Sequence, residues 1–222
     1  ASGMRKSKPG VRARPMRAAA RPRAGAATVR PDAAAAKVDF ACPAGTTAKG
    51  ARPPAGDRAW CERPDGTKHG PYARWHRKGD KLLRKGSYAG GLKHGTWEQY
   101  DRQGRLLGSY VMKRGTGVQK SWYAKGRLFS ECPYRDGKQH GRCVTYWKNG
   151  KLLWERNYRL GKEHGAFTAY TPAGKKSESG SYADGKKHGT WREWSVTSGA
   201  LEHEGRYRRG KRHGQWKWYH VG

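Results

Sequence analysis

The sequence has little of what an aliphatic globular core or a membrane anchor requires. Only 34% of its 222 residues are hydrophobic, only 3 are phenylalanine, and the mean hydropathy is −1.10. No apolar run approaches the roughly 18 residues of a membrane span, and no signal-peptide core is visible. These deficits argue against a membrane-spanning helix and against a core built of leucine, isoleucine and valine.

Residues arranged for catalysis are also missing. The 17 acidic residues are scattered, so no carboxylate pair for general acid–base chemistry stands out. There is no glycine-rich phosphate loop, nucleophile elbow or His-Glu-x-x-His motif. The cysteine and histidine spacings, such as Cys61 to His69, do not match a zinc site. The sequence therefore predicts a protein that is not an enzyme and that holds neither a metal ion nor a cofactor.

The abundant residues, in contrast, recur in phase from residue 65 to residue 222. A His-Gly pair returns every 22 to 25 residues, and Thr116-Gly117 fills one of the positions. The six pairs are His69-Gly70, His94-Gly95, His140-Gly141, His164-Gly165, His188-Gly189 and His213-Gly214. About seven copies of a unit of this length indicate a repeat protein.

Aromatic residues keep the same phase as the His-Gly pairs. They occur two and five residues after the glycine, as at Trp191 and Trp194, and each unit closes on a tyrosine such as Tyr110. Short aromatic segments separated by glycine turns are typical of β-hairpins, and stacked hairpins can pool their rings into one aromatic seam. We expect an all-β fold, an elongated single antiparallel sheet of stacked β-hairpins. The unit with Thr116 and Gln119 should be the least regular.

This unit resembles the MORN repeat (membrane occupation and recognition nexus), in particular its bacterial variant. That variant runs Gly-x-Trp-x-x-Trp/Tyr, then Gly-x-Leu, then Tyr-x-x-Gly-x-x-x-Gly, and residues 65–222 follow it. The resemblance implies a MORN-repeat solenoid and a binding or scaffolding role toward lipid headgroups, protein partners or a second copy. Some bacterial members of the family carry an antitoxin label.

The net charge of +31 is the second dominant feature. Residues 1–37 carry +9, residues 38–64 carry +1 and residues 65–222 carry +21, so the whole surface should attract polyanions. The Ala/Arg/Pro-rich residues 1–37 lack apolar periodicity, which predicts an extended or disordered basic arm. The arginines of this arm that we expect to contact an anionic partner are Arg12, Arg14, Arg17, Arg21 and Arg23.

Cations also recur inside the repeats, in the turn just before the histidine. They are Lys68, Lys93, Lys138, Lys162, Lys186, Lys187, Lys211 and Arg212. In stacked hairpins we expect them to project from one edge as a single row, with units about 10 Å apart. The alternative is a solvated lysine edge that only prevents sheets from aggregating. The regular recurrence, together with the basic arm, favours binding.

Two cysteine pairs are expected to form disulfides. Cys42 and Cys61 bracket a Gly/Pro loop within residues 38–64, a segment that we predict caps the first hairpin. Cys132 and Cys143 are symmetric about a turn and can face each other across two strands. The alternative is four reduced cysteines. Two pairs favour an extracytoplasmic location, periplasmic, outer-membrane-associated or secreted, in a bacterium.

These observations predict a non-enzymatic scaffold or adaptor that docks on an acidic protein assembly through the basic row and the arm. One alternative is a nucleic-acid-binding protein in which Trp147, Trp154 or Trp218 stacks on bases. The other is peripheral binding of anionic lipid headgroups. The open strand edge near residues 215–220 is further expected to allow edge-strand self-association.

Overall fold

The computed structural model describes residues 41–220, so the predicted basic arm at 1–37, including the five arginines named above, lies outside the described residues. The chain divides into two units, residues 1–33 and 34–222, and every described residue belongs to the second. Within residues 41–220 there are sixteen β-strands and no helix. No helix in this part of the chain is therefore long and apolar enough to cross a membrane.

The strands follow one another at short intervals, as the repeat predicts. The first eight are β1 (Thr47–Ala51), β2 (Arg58–Glu62), β3 (Lys68–Trp75), β4 (Leu82–Ala89), β5 (Leu92–Tyr100), β6 (Leu106–Lys113), β7 (Thr116–Trp122) and β8 (Leu128–Arg135). The second eight are β9 (Lys138–Gln139), β10 (Gly141–Tyr146), β11 (Leu152–Arg159), β12 (Lys162–Tyr170), β13 (Lys176–Ala183), β14 (Lys186–Trp194), β15 (Leu201–Arg208) and β16 (Lys211–Trp218).

All sixteen strands form one open antiparallel sheet in chain order, with the short β9 paired to β8 beside the main path. Apart from β9, which β10 passes over to pair with β8, each strand pairs with its neighbours in sequence, so the sheet is a series of hairpins. The predicted all-β fold of stacked β-hairpins is confirmed.

Alternate connections lie at opposite ends of the strands. At one end are two-residue turns in which both residues have positive φ, such as Asp184 at 50° and Gly185 at 82°, a conformation that matches the twist of a hairpin. We call this end the hairpin edge; its turns are residues 90–91, 114–115, 136–137, 160–161, 184–185 and 209–210. We call the other end the loop edge; its loops are residues 76–81, 101–105, 123–127, 147–151, 171–175 and 195–200.

The aromatic residues do not share one seam, and this part of the sequence analysis was wrong. The rings two residues after the His-Gly pair lie on one face of the sheet, the ring face, where Trp97 and Trp191 are each 1% exposed. The rings five residues after it lie mostly on the opposite face, because side chains three positions apart along a strand point to opposite sides. There Trp75 packs with Ala59 and Ala73, and the Tyr100 hydroxyl donates to Glu98.

Glycine in one strand makes room for tryptophan in the next on the ring face. A Cβ built on Gly180 would lie 2.3 Å from the indole of Trp191, and Gly86 and Gly205 face the next tryptophan in the same way. Two units replace this pair with another contact. In one of them a disulfide joins the two positions, and in the other the guanidinium of Arg156 lies 5.1 Å from the centre of the Phe167 ring. The same space is therefore filled by a glycine–tryptophan pair, by a disulfide or by an arginine–phenylalanine contact.

The third unit is irregular, as predicted, because its tyrosine comes two residues earlier in the strand than in the other units. Gly95 pairs with Met112, whereas the equivalent Gly70 pairs with Tyr88. Met112, 2% exposed, therefore takes the place that we assigned to Tyr110. Tyr110 instead lies opposite Trp97.

Both predicted disulfides are present. Cys42 bonds to the fully buried Cys61, with their Cα atoms 5.5 Å apart, and the adjacent Pro43 lies against Gly70 of β3. Cys132 bonds to Cys143 across β8 and β10, where the neighbouring residues are in antiparallel register. Within residues 41–220 no free cysteine remains.

Candidate binding surface

The hairpin edge is held together by hydrogen bonds that run from turn to turn. The backbone N–H of each turn glycine donates to a carbonyl of the preceding unit, as Gly210 does to Lys187 at 2.9 Å and Gly91 to Lys68 at 2.8 Å. The donor–acceptor distances of all six bonds lie between 2.7 and 3.0 Å. The side chains of successive turns are therefore presented in a fixed order along this edge.

The recurring histidine helps to fix the same turns. Nδ1 of His69 accepts a hydrogen bond from the backbone N–H of Gly90, and Nδ1 of His94 accepts one from Arg114. Where the histidine is replaced, the hydroxyl of Thr116 accepts the equivalent bond from the backbone N–H of Asp136 at 3.1 Å. At His69 and His94 the recurring histidine therefore has a structural role in the turn.

The predicted single row of cations is two sets on opposite sides of the sheet, which corrects the sequence analysis. Neighbouring residues in a strand point to opposite faces of the sheet. The side chains one and two positions before the histidine therefore lie on opposite faces. The inner cations, directly before the histidine, lie over the ring face; they are Lys68, Lys93, Lys187 and Arg212. The outer lysines, one position earlier, are exposed; they are Lys138, Lys162, Lys186 and Lys211.

Each inner cation lies over a tryptophan ring. The distance to the ring centre is 3.8 Å for Lys187 above Trp191 and 4.8 Å for Lys68 above Trp60. Lys187 also forms an ion pair of 2.9 Å with Glu178. Cation–π contacts and internal ion pairs occupy these groups in the fold. They are structural in the first place and are poorly placed to meet a large partner.

The outer lysines have no such partners. Among residues 41–220, none of the four forms an ion pair or a side-chain hydrogen bond. They occupy four successive hairpin turns in the C-terminal half of the sheet, two strands or about 10 Å apart. This is the part of the predicted site that remains free to bind.

The sheet's own carboxylates are largely paired on the face opposite the rings. Lys85 contacts Glu98 at 2.8 Å, and hydrogen bonds from Lys85 and Tyr100 hold the pKa of Glu98 below its usual value. Tyr219 and Arg192 likewise donate to Glu204 and lower its pKa. The acids therefore neutralise cations within the sheet, and at the hairpin edge Asp184 pairs with Arg159 at 3.0 Å.

A further row of cations, on the loop edge, was missed by the sequence analysis. Lys151 donates to the carbonyl of Ala173 at 2.6 Å, and Arg127 donates to that of Lys148 at 2.9 Å. Lys175 lies in the same way against the turn at Gly199. The sequence contains a signal for this row, because each of these cations directly follows the glycine of a loop-edge turn. Bridges between neighbouring loops explain them without any external partner.

Lys93 occupies the most enclosed position among the inner cations. Its Nζ donates to Gln119 Oε1 at 2.5 Å and to the Tyr110 hydroxyl at 3.1 Å, and it lies 4.5 Å from the centre of the Trp97 ring. Beside it is a cavity of about 200 Å³ that Met112 also lines. Burial, and secondarily the charge of Arg84, lower the pKa of Lys93 to about 8. Burial raises the pKa of Tyr110 to about 12.

This shift predicts an unusual dependence of stability on pH. An unfolded lysine keeps its proton to a pKa of 10.5, whereas folded Lys93 loses it near pH 8. Between these values the unfolded state binds more protons, so the contribution of Lys93 to stability rises with pH. We expect urea unfolding of the wild type and of Lys93→Met to show a stability difference that moves in favour of the wild type from pH 7 to pH 10. Lys138→Met is the control for loss of an exposed lysine, and an unchanged difference for Lys93→Met would contradict the enclosed site.

Metal chemistry has no support in the described part of the chain. Across residues 41–220, no group of three or more His, Cys, Asp or Glu side chains is placed to hold a metal ion. Two clefts of about 540 and 550 Å³ open on the sheet surface, and the first is lined by Tyr72, Trp75 and Glu98.

Comparison with known protein families agrees with this geometry. Two adjacent repeats, residues 116–136 and 139–159, match the family model described as the MORN repeat variant. No curated protein matches the chain. Repeats of this family generally act as binding or scaffolding modules and not as catalysts. Residues 116–136 and 139–159 are therefore two MORN repeats of the variant type, and they lie within the open sheet of hairpins.

Proposed function

We propose that this protein is a non-enzymatic adaptor that docks on an acidic protein assembly through the outer lysines and the basic arm at residues 1–37. The observation that carries the proposal is the row formed by Lys138, Lys162, Lys186 and Lys211. These lysines are exposed, lack partners among residues 41–220 and follow one another at successive turns. A regular line of unpaired positive charge attracts an extended anionic surface.

The location that we propose is extracytoplasmic, in the periplasm, at the outer membrane or outside the cell. The two disulfides support it, since such bonds persist in oxidising compartments. An acidic assembly at a bacterial surface would meet the protein there.

Binding of nucleic acid is the weaker alternative. Of the three tryptophans that we considered for base stacking, Trp147 and Trp154 are half-buried. The indole N–H of Trp147 donates to the backbone carbonyl of Tyr170. Trp218 is 59% exposed, and its ring contacts those of Trp216 and His203. Base stacking along a strand needs several such rings in a row.

The proposal is tested by measuring how the full chain binds three probes over a range of salt concentrations. The probes are poly-glutamate, single-stranded oligo-dT and vesicles that contain phosphatidylglycerol. Each lysine near an anionic surface contributes on the order of 1 kcal/mol. We therefore expect replacement of the four outer lysines with glutamine to weaken binding of poly-glutamate at least about a hundredfold.

The matched control removes four positive charges from the loop edge, as Arg127→Gln, Lys148→Gln, Lys151→Gln and Lys175→Gln. The arm is present in both variants, so its contribution cancels. An equal loss of affinity in the two variants would show that net charge alone matters and would overturn the proposed site. Tighter binding of oligo-dT or of the vesicles would reassign the partner.

A further inference from the structure

On the ring face, the tyrosine that closes each unit is replaced once, by Met112. This methionine is 2% exposed, and Tyr88 and Tyr134 pack against it. Beside it lies a cavity of about 200 Å³ that the two tyrosines also line. Gln119, another lining residue, stands at the position where three other units have tryptophan. At two places in the wall of this cavity, a smaller side chain therefore takes the position of a large ring.

Lys93 forms part of the same wall, and the fold does not neutralise its charge. In a later unit the equivalent inner lysine, Lys187, pairs with Glu178 at 2.9 Å. Arg84 is the counterpart of Glu178, because each lies four residues before the closing tyrosine and the strands have the same register. Among residues 41–220, no carboxylate forms an ion pair with Lys93. A second cation thus occupies the place of the neutralising acid.

Hydrogen-bond donors for an anion are present at this wall. The Lys93 ammonium has three N–H groups, and its bonds to Gln119 Oε1 and to the Tyr110 hydroxyl use two of them. The side-chain amide of Gln119 has no acceptor for its own N–H groups in the part of the chain that the structure describes. A carboxylate here can accept hydrogen bonds from both side chains and supply the missing negative charge.

The remaining lining sets the size and character of the ligand. Leu92, Met112 and the rings of Tyr88 and Tyr134 make most of the wall apolar. A cavity of roughly 150 Å³ is enough to hold benzene. One of about 200 Å³ therefore has room for a single ring that carries a carboxyl group. Of the described residues that line the cavity, Lys93 alone is charged, which matches one negative charge on the ligand.

We propose that this cavity binds a small aromatic monocarboxylate, with its carboxylate on Lys93 and Gln119 and its ring against Met112. The charge-assisted hydrogen bonds orient the ligand, and burial of the ring provides affinity. The site lies on the ring face, whereas the outer lysines point to the opposite side of the sheet. It therefore does not depend on the adaptor proposal.

The test uses the full chain with benzoate as the probe and with benzyl alcohol and acetate as matched controls. We expect isothermal titration calorimetry to show saturable binding of benzoate with a dissociation constant below about 1 mM. Benzyl alcohol keeps the ring without the charge, and acetate keeps the charge without the ring. Each control should bind at least about tenfold more weakly than benzoate.

Two substitutions introduce residues from the other units and should remove the site. Arg84→Glu places an acid at the position of Glu178, where it can pair with Lys93, and should weaken benzoate binding at least about tenfold. Met112→Tyr should fill the cavity and weaken binding in the same way. Lys187→Met removes an inner cation that already has an acidic partner, so it is the control that should leave benzoate binding unchanged. Circular dichroism checks that each variant is folded.

The pH dependence provides a result that a purely structural lysine would not give. The pKa of Lys93 is about 8, whereas burial raises the pKa values of the tyrosines that face it, Tyr88, Tyr110 and Tyr134. Arg84 also faces it, and arginine keeps its charge in this range. A bound carboxylate favours the ammonium form, so binding at pH 9 should take up protons. The affinity for benzoate should fall about tenfold from pH 7 to pH 10.

Three results would overturn the proposal. Equal affinity for benzoate and benzyl alcohol would remove the role of the ammonium, and an unchanged affinity in the folded Arg84→Glu variant would do the same. Absence of saturable binding at about 5 mM benzoate would refute the site itself. Replacing the four outer lysines with glutamine, which tests the adaptor proposal, should leave benzoate binding unchanged. The two proposals can therefore fail separately.

Discussion

Replacing Trp191 with alanine is expected to lower the free energy of unfolding by about 3–5 kcal/mol, the range for removing a large buried aromatic side chain. Trp191 is 1% exposed, and its ring packs against those of Phe167, Tyr182 and Tyr207 with centroids 5.2 to 5.9 Å apart. The variant also leaves Lys187 without the ring beneath it. Urea unfolding followed by circular dichroism measures the loss.

Trp218→Ala is the matched control, since its ring is 59% exposed in the last strand. We expect this variant to change the free energy of unfolding by less than about 1 kcal/mol. Equal losses for the two variants would contradict the assignment of Trp191 to the core of the ring face. Trp194, three residues after Trp191 in the repeat, is half-buried. We expect Trp194→Ala to lower the free energy of unfolding by an amount between those of the other two variants.

Replacing Cys42 and Cys61 together with serine is expected to lower the free energy of unfolding by about 3 kcal/mol, the value for a closed loop of about twenty residues. The two cysteines are 19 residues apart. Their bond holds Pro43 against Gly70, and so fixes the first strands to the repeats. Thermal unfolding of the double variant, compared with the wild type without reductant, measures the effect.

Serine replacement of Cys132 and Cys143 is the informative comparison. These cysteines are 11 residues apart, in strands that already pair with each other, so their bond closes a shorter loop and should contribute less. A larger loss for this pair than for Cys42 and Cys61 would contradict the capping role of the first disulfide. A mass increase of about four hydrogens on reduction of the wild type would show that both bonds form in the purified protein.

The sequence was sufficient for those features that depend on period and on turn chemistry. In-phase His-Gly pairs placed the hairpins, and the symmetry of Cys132 and Cys143 about their turn placed one disulfide, because strand register follows the turn. The division of the cations could not be read in the same way. Lys186 and Lys187 look equivalent in sequence, yet alternation along β14 exposes the first and places the second over Trp191.

Two further features required coordinates for a different reason. Met112 replaces a tyrosine because Tyr110 comes two residues earlier in β6, while β6 keeps the same register against β5 as the equivalent strands of other units. The bridges made by Lys151 and Arg127 depend on how closely one loop lies on the next. Spacing along the chain does not encode distances between units. The partner cannot be derived from either source, since a surface of unpaired lysines specifies a charge and not an identity.

Pairing only between sequence neighbours has a mechanical consequence. No crossover strand ties distant parts of the sheet together within residues 41–220. Tension applied to β1 and β16 across the strands would therefore load one row of hydrogen bonds at a time. The sheet should peel strand by strand at low force, and it should re-form from whichever hairpins remain, because each unit is stabilised by its adjacent units.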